Sequence, residues 1–121
     1  VRASRGRVAN QSGAAWEQQI IALAHLWGWT VASFRSVRVQ RRDGSSYFAT
    51  PVQADGAGWP DLVLVRGDRL LFRELKTDRA VTRRAQREWL SRLAATGADV
   101  GVWRPRGWDQ IVVELRRGRV V

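Results

Sequence analysis

Asp61, Glu74 and Lys76 are the residues whose types and spacing could do chemistry together. Glu74 and Lys76 stand two apart in the run Phe72-Arg73-Glu74-Leu75-Lys76-Thr77, which reads as a strand. Side chains two apart on a strand share a face, so the carboxylate and the ammonium project together. Asp61 opens the apolar run Asp61-Leu62-Val63-Leu64-Val65, and Gly67-Asp68 lies roughly midway between Asp61 and Glu74. Hairpin pairing about that turn would bring Asp61 close to Glu74. Two carboxylates beside one ammonium make a hard, oxygen-rich site suited to Mg²⁺ or Mn²⁺. Such an ion polarises a phosphoryl oxygen and acidifies water, and a lysine beside it orients that water and offsets growing charge. The pattern is short, and a solvated hairpin of alternating charges would carry it too.

The elements that must position these residues follow from periodicity and punctuation. Ser12 reads as the N-cap of a first helix running to about Trp27, with Trp16, Ile20, Leu23 and Trp27 as its buried stripe and Gly28 as its stop. Thr30 to Val39 reads as a strand, Arg41 to Gly44 as a turn, and Tyr47 to Val52 as a returning hairpin arm. Gln53 to Pro60 is a glycine-containing loop, followed by the paired strands of Asp61 to Val65 and Leu70 to Lys76. A second helix spans about Thr82 to Ala95, with Ala85, Trp89, Leu90 and Leu93 inward and Gly97 as its stop. Val100 to Trp103 and Ile111 to Leu115 read as further strands. The expected fold is α/β in α-β-β-β-α-β order, with a mixed, partly parallel central sheet flanked by helices. Residues 1–11 read as a flexible basic arm carrying Arg2, Arg5 and Arg7, and 12–121 as one domain.

Composition bounds the function. A chain of 121 residues with 45% hydrophobic content suits one globular core. No apolar run approaches the roughly 18 residues of a membrane span, and the basic N-terminus does not read as a secretory leader. A soluble, cytoplasmic protein is expected. Cysteine is absent, which removes disulfides and thiolate metal sites. The net charge of +10 points to a polyanionic partner, because each neutralised phosphate releases a condensed counterion. Of 21 basic residues all but Lys76 are Arg. A coding bias that turns Lys into Arg wherever either serves leaves Lys76 as a position that needs an ammonium.

The full run Gly58-Trp59-Pro60-Asp61, the hydrophobic strand after it, and Glu74-Leu75-Lys76 resemble the PD-(D/E)XK nuclease superfamily, and within it the virus-type replication-repair nuclease (VRR-Nuc) group. The resemblance covers about residues 13 to 104; the stretch from Arg41 to Ala54 is longer than a minimal member needs. It implies a restriction-endonuclease-like core and a metal bound by Asp61, Glu74 and the backbone carbonyl of Leu75. It also implies catalytic roles for Glu17, on the first helix where these enzymes and the archaeal Holliday junction resolvases carry an acidic residue, and for Gln86, on the helix after the Glu-x-Lys strand. Without the resemblance, Glu17 reads as a first-turn acid favoured by the helix dipole and Gln86 as a packing amide. His25, the lone histidine, reads as structural.

Trp16, Trp27 and Trp89 fall on core stripes. Trp59 could stack on a displaced base or pack against the first helix. Arg35, Arg38, Arg41 and Arg42, with Arg83, Arg84 and Arg87, are the candidate DNA-binding surface. The expected activity is a structure-selective DNA endonuclease, resolvase-like, with DNA read through its phosphates. Paired nicks at a junction need a homodimer, for which the apolar Trp103, Trp108 and Val113 are candidates. A flap or single-strand nuclease, a restriction-type nuclease using residues 40 to 58, and a catalytically silent DNA-binding module are the competing functions, and RNA stays open as substrate.

Overall fold

A computed structural model describes residues 12–35, 37–49 and 52–118. The basic arm of residues 1–11, the middle of the returning hairpin arm at 50–51 and the last three residues of the basic tail lie outside the described residues. The elements are α1 (Gly13–Leu26), β1 (Thr30–Ser33), β2 (Val37–Gln40), β3 (Ser46–Ala49), β4 (Leu62–Arg66), β5 (Arg69–Leu75), α2 (Arg84–Ala95), β6 (Asp99–Trp103), a 3₁₀ turn (Pro105–Gly107) and α3 (Trp108–Arg116). The fold is mixed α/β. Four strands form a sheet in the order β1-β4-β5-β6, and β2 and β3 form a separate two-stranded sheet. The β1-β4 and β4-β5 pairs are antiparallel, and β5-β6, joined through α2, is parallel.

Ser12 caps α1 by accepting a hydrogen bond from the Ala15 amide at 3.2 Å. The helix buries Trp16, Ile20 and Ala24, and the chain turns away at Gly28, whose φ of +81° suits a residue without a Cβ. On β4 and β5, Leu62, Leu64 and Leu71 alternate onto one face. They form one core cluster with the α1 residues, Trp29, Trp103, and Ile111 and Leu115 of α3. Each such side chain contributes about 1.5–3 kcal/mol on burial. The opposite face carries Val63, Phe72 and Glu74, and α2 packs there.

Two expected elements differ. The strand expected over Thr30 to Val39 is split. Its pairing with β4 ends at Ser33–Leu62 because β4 itself begins only after Pro60, and the next residues pair instead with Ser46–Ala49 as a hairpin. The last expected strand, Ile111 to Leu115, lies in helix α3. Val112 and Val113 suggest a strand, but Ile111 and Leu115 stand four apart and are the buried pair. Asp109 in the first turn and Arg116 in the last match the helix dipole. This also corrects the candidate dimer surface, since Trp103 is 3% exposed and Trp108 packs at 6.0 Å against Trp16. Among those three, Val113 alone is exposed.

Many arginines hold the fold together. Arg73 is buried under Trp103 and bonded to Asp99 at 2.7 Å and Glu114 at 2.9 Å. Arg66 and Arg69 stack on Trp29 and donate to carbonyls at the end of α3, among them Leu115 at 2.8 Å and Glu114 at 3.2 Å. Arg104 donates to the carbonyls of Thr77 and Ala80, fixing the loop between β5 and α2. Part of the positive charge therefore serves internal packing rather than a partner. No helix among the described residues is long and apolar enough to cross a membrane.

Candidate active site

The β4-β5 register decides the site. Leu62 faces Arg73, so the next step along the ladder sets Asp61 opposite Glu74 across the strands. Asp61 sits at the bend just before β4. Its Oδ2 accepts a hydrogen bond from the Leu75 amide at 2.9 Å, and its carbonyl accepts from Phe34 at 2.7 Å. The Lys76 amide bonds the Trp103 carbonyl at 3.1 Å, and its ammonium lies 3.8 Å from Glu74 Oε2.

Glu74 is 1% exposed. Gln86, on the first turn of α2, donates from Nε2 to Glu74 Oε2 at 2.5 Å and accepts from the Arg83 amide through Oε1 at 2.8 Å. The amide thus closes the helix end and aims the carboxylate at once. Burial, with the charge of Asp61 adding to it and Lys76 opposing it, pushes the Glu74 carboxyl up to about 8.

Asp61, Glu74, Lys76, Gln86 and Glu17 line one open cleft of about 440 Å³. Glu17 is 6% exposed and tied away from the other carboxylates: Ser33 donates to its Oε1, and Arg35 lies 3.6 Å from its Oε2. Among the described residues no group of three or more His, Cys, Asp or Glu side chains is gathered to hold a metal. The oxygens that could hold one are those of Asp61 and Glu74, with the Leu75 backbone bonded to Asp61 beside them. Oxygen donors with few carboxylates fit Mg²⁺, which keeps positions for water and phosphate.

The proposed DNA contacts divide. Arg35 and Arg83 line the cleft. Arg38, Arg41 and Arg42 are exposed on the β2-β3 hairpin, where Arg38 donates to Ser46 at 3.0 Å and Arg41 stacks on Tyr47 at 4.3 Å. Arg84 pairs with Glu88 one turn along α2, and Arg87 donates to the Thr82 carbonyl. Trp59 does not stand free for a base. Its ring meets Phe34, Phe72 and Trp89 edge-on at centroid distances of 6.0, 5.8 and 4.9 Å, so it packs, against α2 rather than the first helix.

Two contributors, Ser33 and Phe48, and the close approach of Gly58 to the second helix were not read from the sequence. Ser33 bonds Glu17, a pairing that no local spacing announces. Gly58 lies so close to α2 that a Cβ there would meet the Ala85 carbonyl carbon at 2.4 Å. Phe48, on the hairpin, lines the cleft while 71% exposed. No family model, curated protein or solved structure matches this chain.

Proposed function

We propose that the protein is a metal-dependent DNA endonuclease of the PD-(D/E)XK superfamily, VRR-Nuc group, with a restriction-endonuclease-like core. The observation that carries this reading is the apposition of Asp61 and Glu74 beside the ammonium of Lys76, in a cleft flanked by Arg35 and Arg83. A binding module that works without metal would have no use for a buried glutamate and an aspartate converging where its phosphate partner binds.

Mg²⁺ or Mn²⁺, held by Asp61, Glu74 and the Leu75 carbonyl, would polarise a phosphoryl oxygen and acidify a water. The chain's own residues do the rest. The Leu75 amide fixes Asp61, and Gln86 fixes Glu74, so neither carboxylate must reorganise. Lys76 holds the attacking water and offsets charge growing at phosphorus. Arg35 and Arg83 bind the neighbouring phosphates, and Glu17 positions Arg35. Water adds to phosphorus, one P–O bond breaks, and the products are a phosphate monoester and a free hydroxyl.

A small domain reading phosphates suits branched or otherwise structured DNA, as in a Holliday-junction-resolvase-like enzyme, and junction cutting calls for a homodimer. The test is incubation with labelled junction, flap, single-stranded and duplex DNA, with Mg²⁺, Mn²⁺ or EDTA. Cleavage of at least one structured substrate in metal alone is expected. No cleavage of any substrate in either metal would overturn the proposal.

A further inference from the structure

The β2-β3 hairpin is a sheet separate from the four-stranded one, and one side of it is chemically distinctive. Arg38 pairs across the strands with Phe48, and Gln40 with Ser46, so these four side chains share a face. Phe48 lines the cleft that holds Asp61, Glu74 and Lys76, yet 71% of its surface is exposed. The ring thus stands in water at the rim of a polar cleft. Its surroundings are cationic: Arg38 stands opposite, and Arg35 and Arg83 line the same cleft. An apolar protein partner would need a contiguous patch of hundreds of Å², whereas among the described residues of this cleft Phe48 is the one aromatic ring, set among guanidinium groups.

Aromatic rings interleaved with phosphate-binding cations are what an unstacked nucleotide requires. We infer that Phe48 stacks on an unpaired base of the DNA strand whose phosphate lies at Asp61 and Glu74, with Arg38 on the adjoining backbone. This inference rests on the nuclease reading and narrows its substrate to DNA with unpaired nucleotides beside the scissile phosphate, such as flaps, single strands and open branch points. A base inside continuous duplex presents no free face to the ring.

The experiment measures binding in EDTA, so that no DNA is cut, by fluorescence anisotropy with a single strand, a flap and a blunt duplex. Because Phe48 is exposed, its substitution leaves the core intact. Phe48→Ala is expected to weaken binding of the single strand and flap by about tenfold while changing duplex binding by less than about twofold, and Phe48→Trp to restore it. 2-Aminopurine walked along the flap should lose fluorescence at one position on binding the parent protein and keep it on binding Phe48→Ala. Equal losses on all three substrates, no loss on any, or no binding by the parent would overturn the inference. Parent cleavage in Mg²⁺ is scored separately. Selective loss without cleavage removes the hydrolase reading and leaves the stacking, whereas cleavage without selective loss removes the stacking alone.

Discussion

Proton release should accompany metal binding, because the Glu74 carboxyl is pushed up to about 8 by its burial and by Asp61. In the metal-free protein at neutral pH, about nine in ten Glu74 carboxyls then carry a proton. A divalent cation can use this oxygen only by expelling it. Apparent Mg²⁺ or Mn²⁺ affinity should therefore rise close to tenfold per pH unit below about 8 and level off above. Titration calorimetry in two buffers of different ionisation enthalpy counts the protons: about one released per site near pH 6.5 and about none near pH 9.5. Stability follows with a definite sign. The folded pKa lies above the ordinary 4.5, so the folded state holds a proton that the unfolded chain has lost. That contribution is fully present below about 4.5 and falls, by at most about 1.4 kcal/mol per pH unit, as pH rises through 8. Saturating Mg²⁺ should remove the decline, and Glu74→Gln should flatten it without metal. Metal affinity independent of pH between about 6 and 9, or binding without proton release, would refute the paired-carboxylate geometry.

Lys76→Arg keeps the charge but brings a wide, planar group against the Glu74 carboxylate, and should slow single-turnover cleavage about 10²-fold or more at an unchanged melting temperature. Arg73→Ala leaves Asp99 and Glu114 without their shared cation and should destabilise the fold by about 3 kcal/mol or more, read by urea unfolding. Gly58→Ala meets both a φ of +86° and the Ala85 backbone. It should cost about 2 kcal/mol and slow cleavage by shifting the turn of α2 that carries Gln86; unchanged stability would mean that this close approach is relieved elsewhere.

What could be read in advance was local. The two-residue turn Gly67-Asp68 and the alternation of Leu62, Leu64 and Leu71 fix the β4-β5 register, and with it the meeting of Asp61 and Glu74. Trp16 and Ile20 on α1 and the stops at Gly28 and Gly97 were equally legible, but Ala24 is fully buried where Leu23 and Trp27, expected on the stripe, are only partly so. α3 was not, because Val112-Val113 in a short segment favours a strand until Ile111 and Leu115 are seen to share a buried face. Nor does an arginine announce its partner. Arg66, Arg69, Arg73 and Arg104 satisfy the protein's own oxygens, while Arg35 and Arg83 face the cleft, and only the tertiary fold separates them. Nor did local spacing separate the parts of Trp59 and Phe48. Trp59 lies where Phe34, Phe72 and Trp89 converge, whereas Phe48 lines the cleft from the hairpin while 71% exposed.

The central claim is that Asp61 and Glu74 jointly hold the metal that cuts DNA bound by arginines. The most direct measurement is single-turnover cleavage of a labelled flap in saturating Mg²⁺ by the parent, Asp61→Ala and Glu74→Ala, with anisotropy on the same DNA in EDTA. Both variants should bind about as tightly as the parent, Asp61→Ala more tightly if anything for its lost negative charge, and should cut at no detectable rate. Cleavage by either variant at the parent's rate would contradict the account and place the chemistry elsewhere in the molecule.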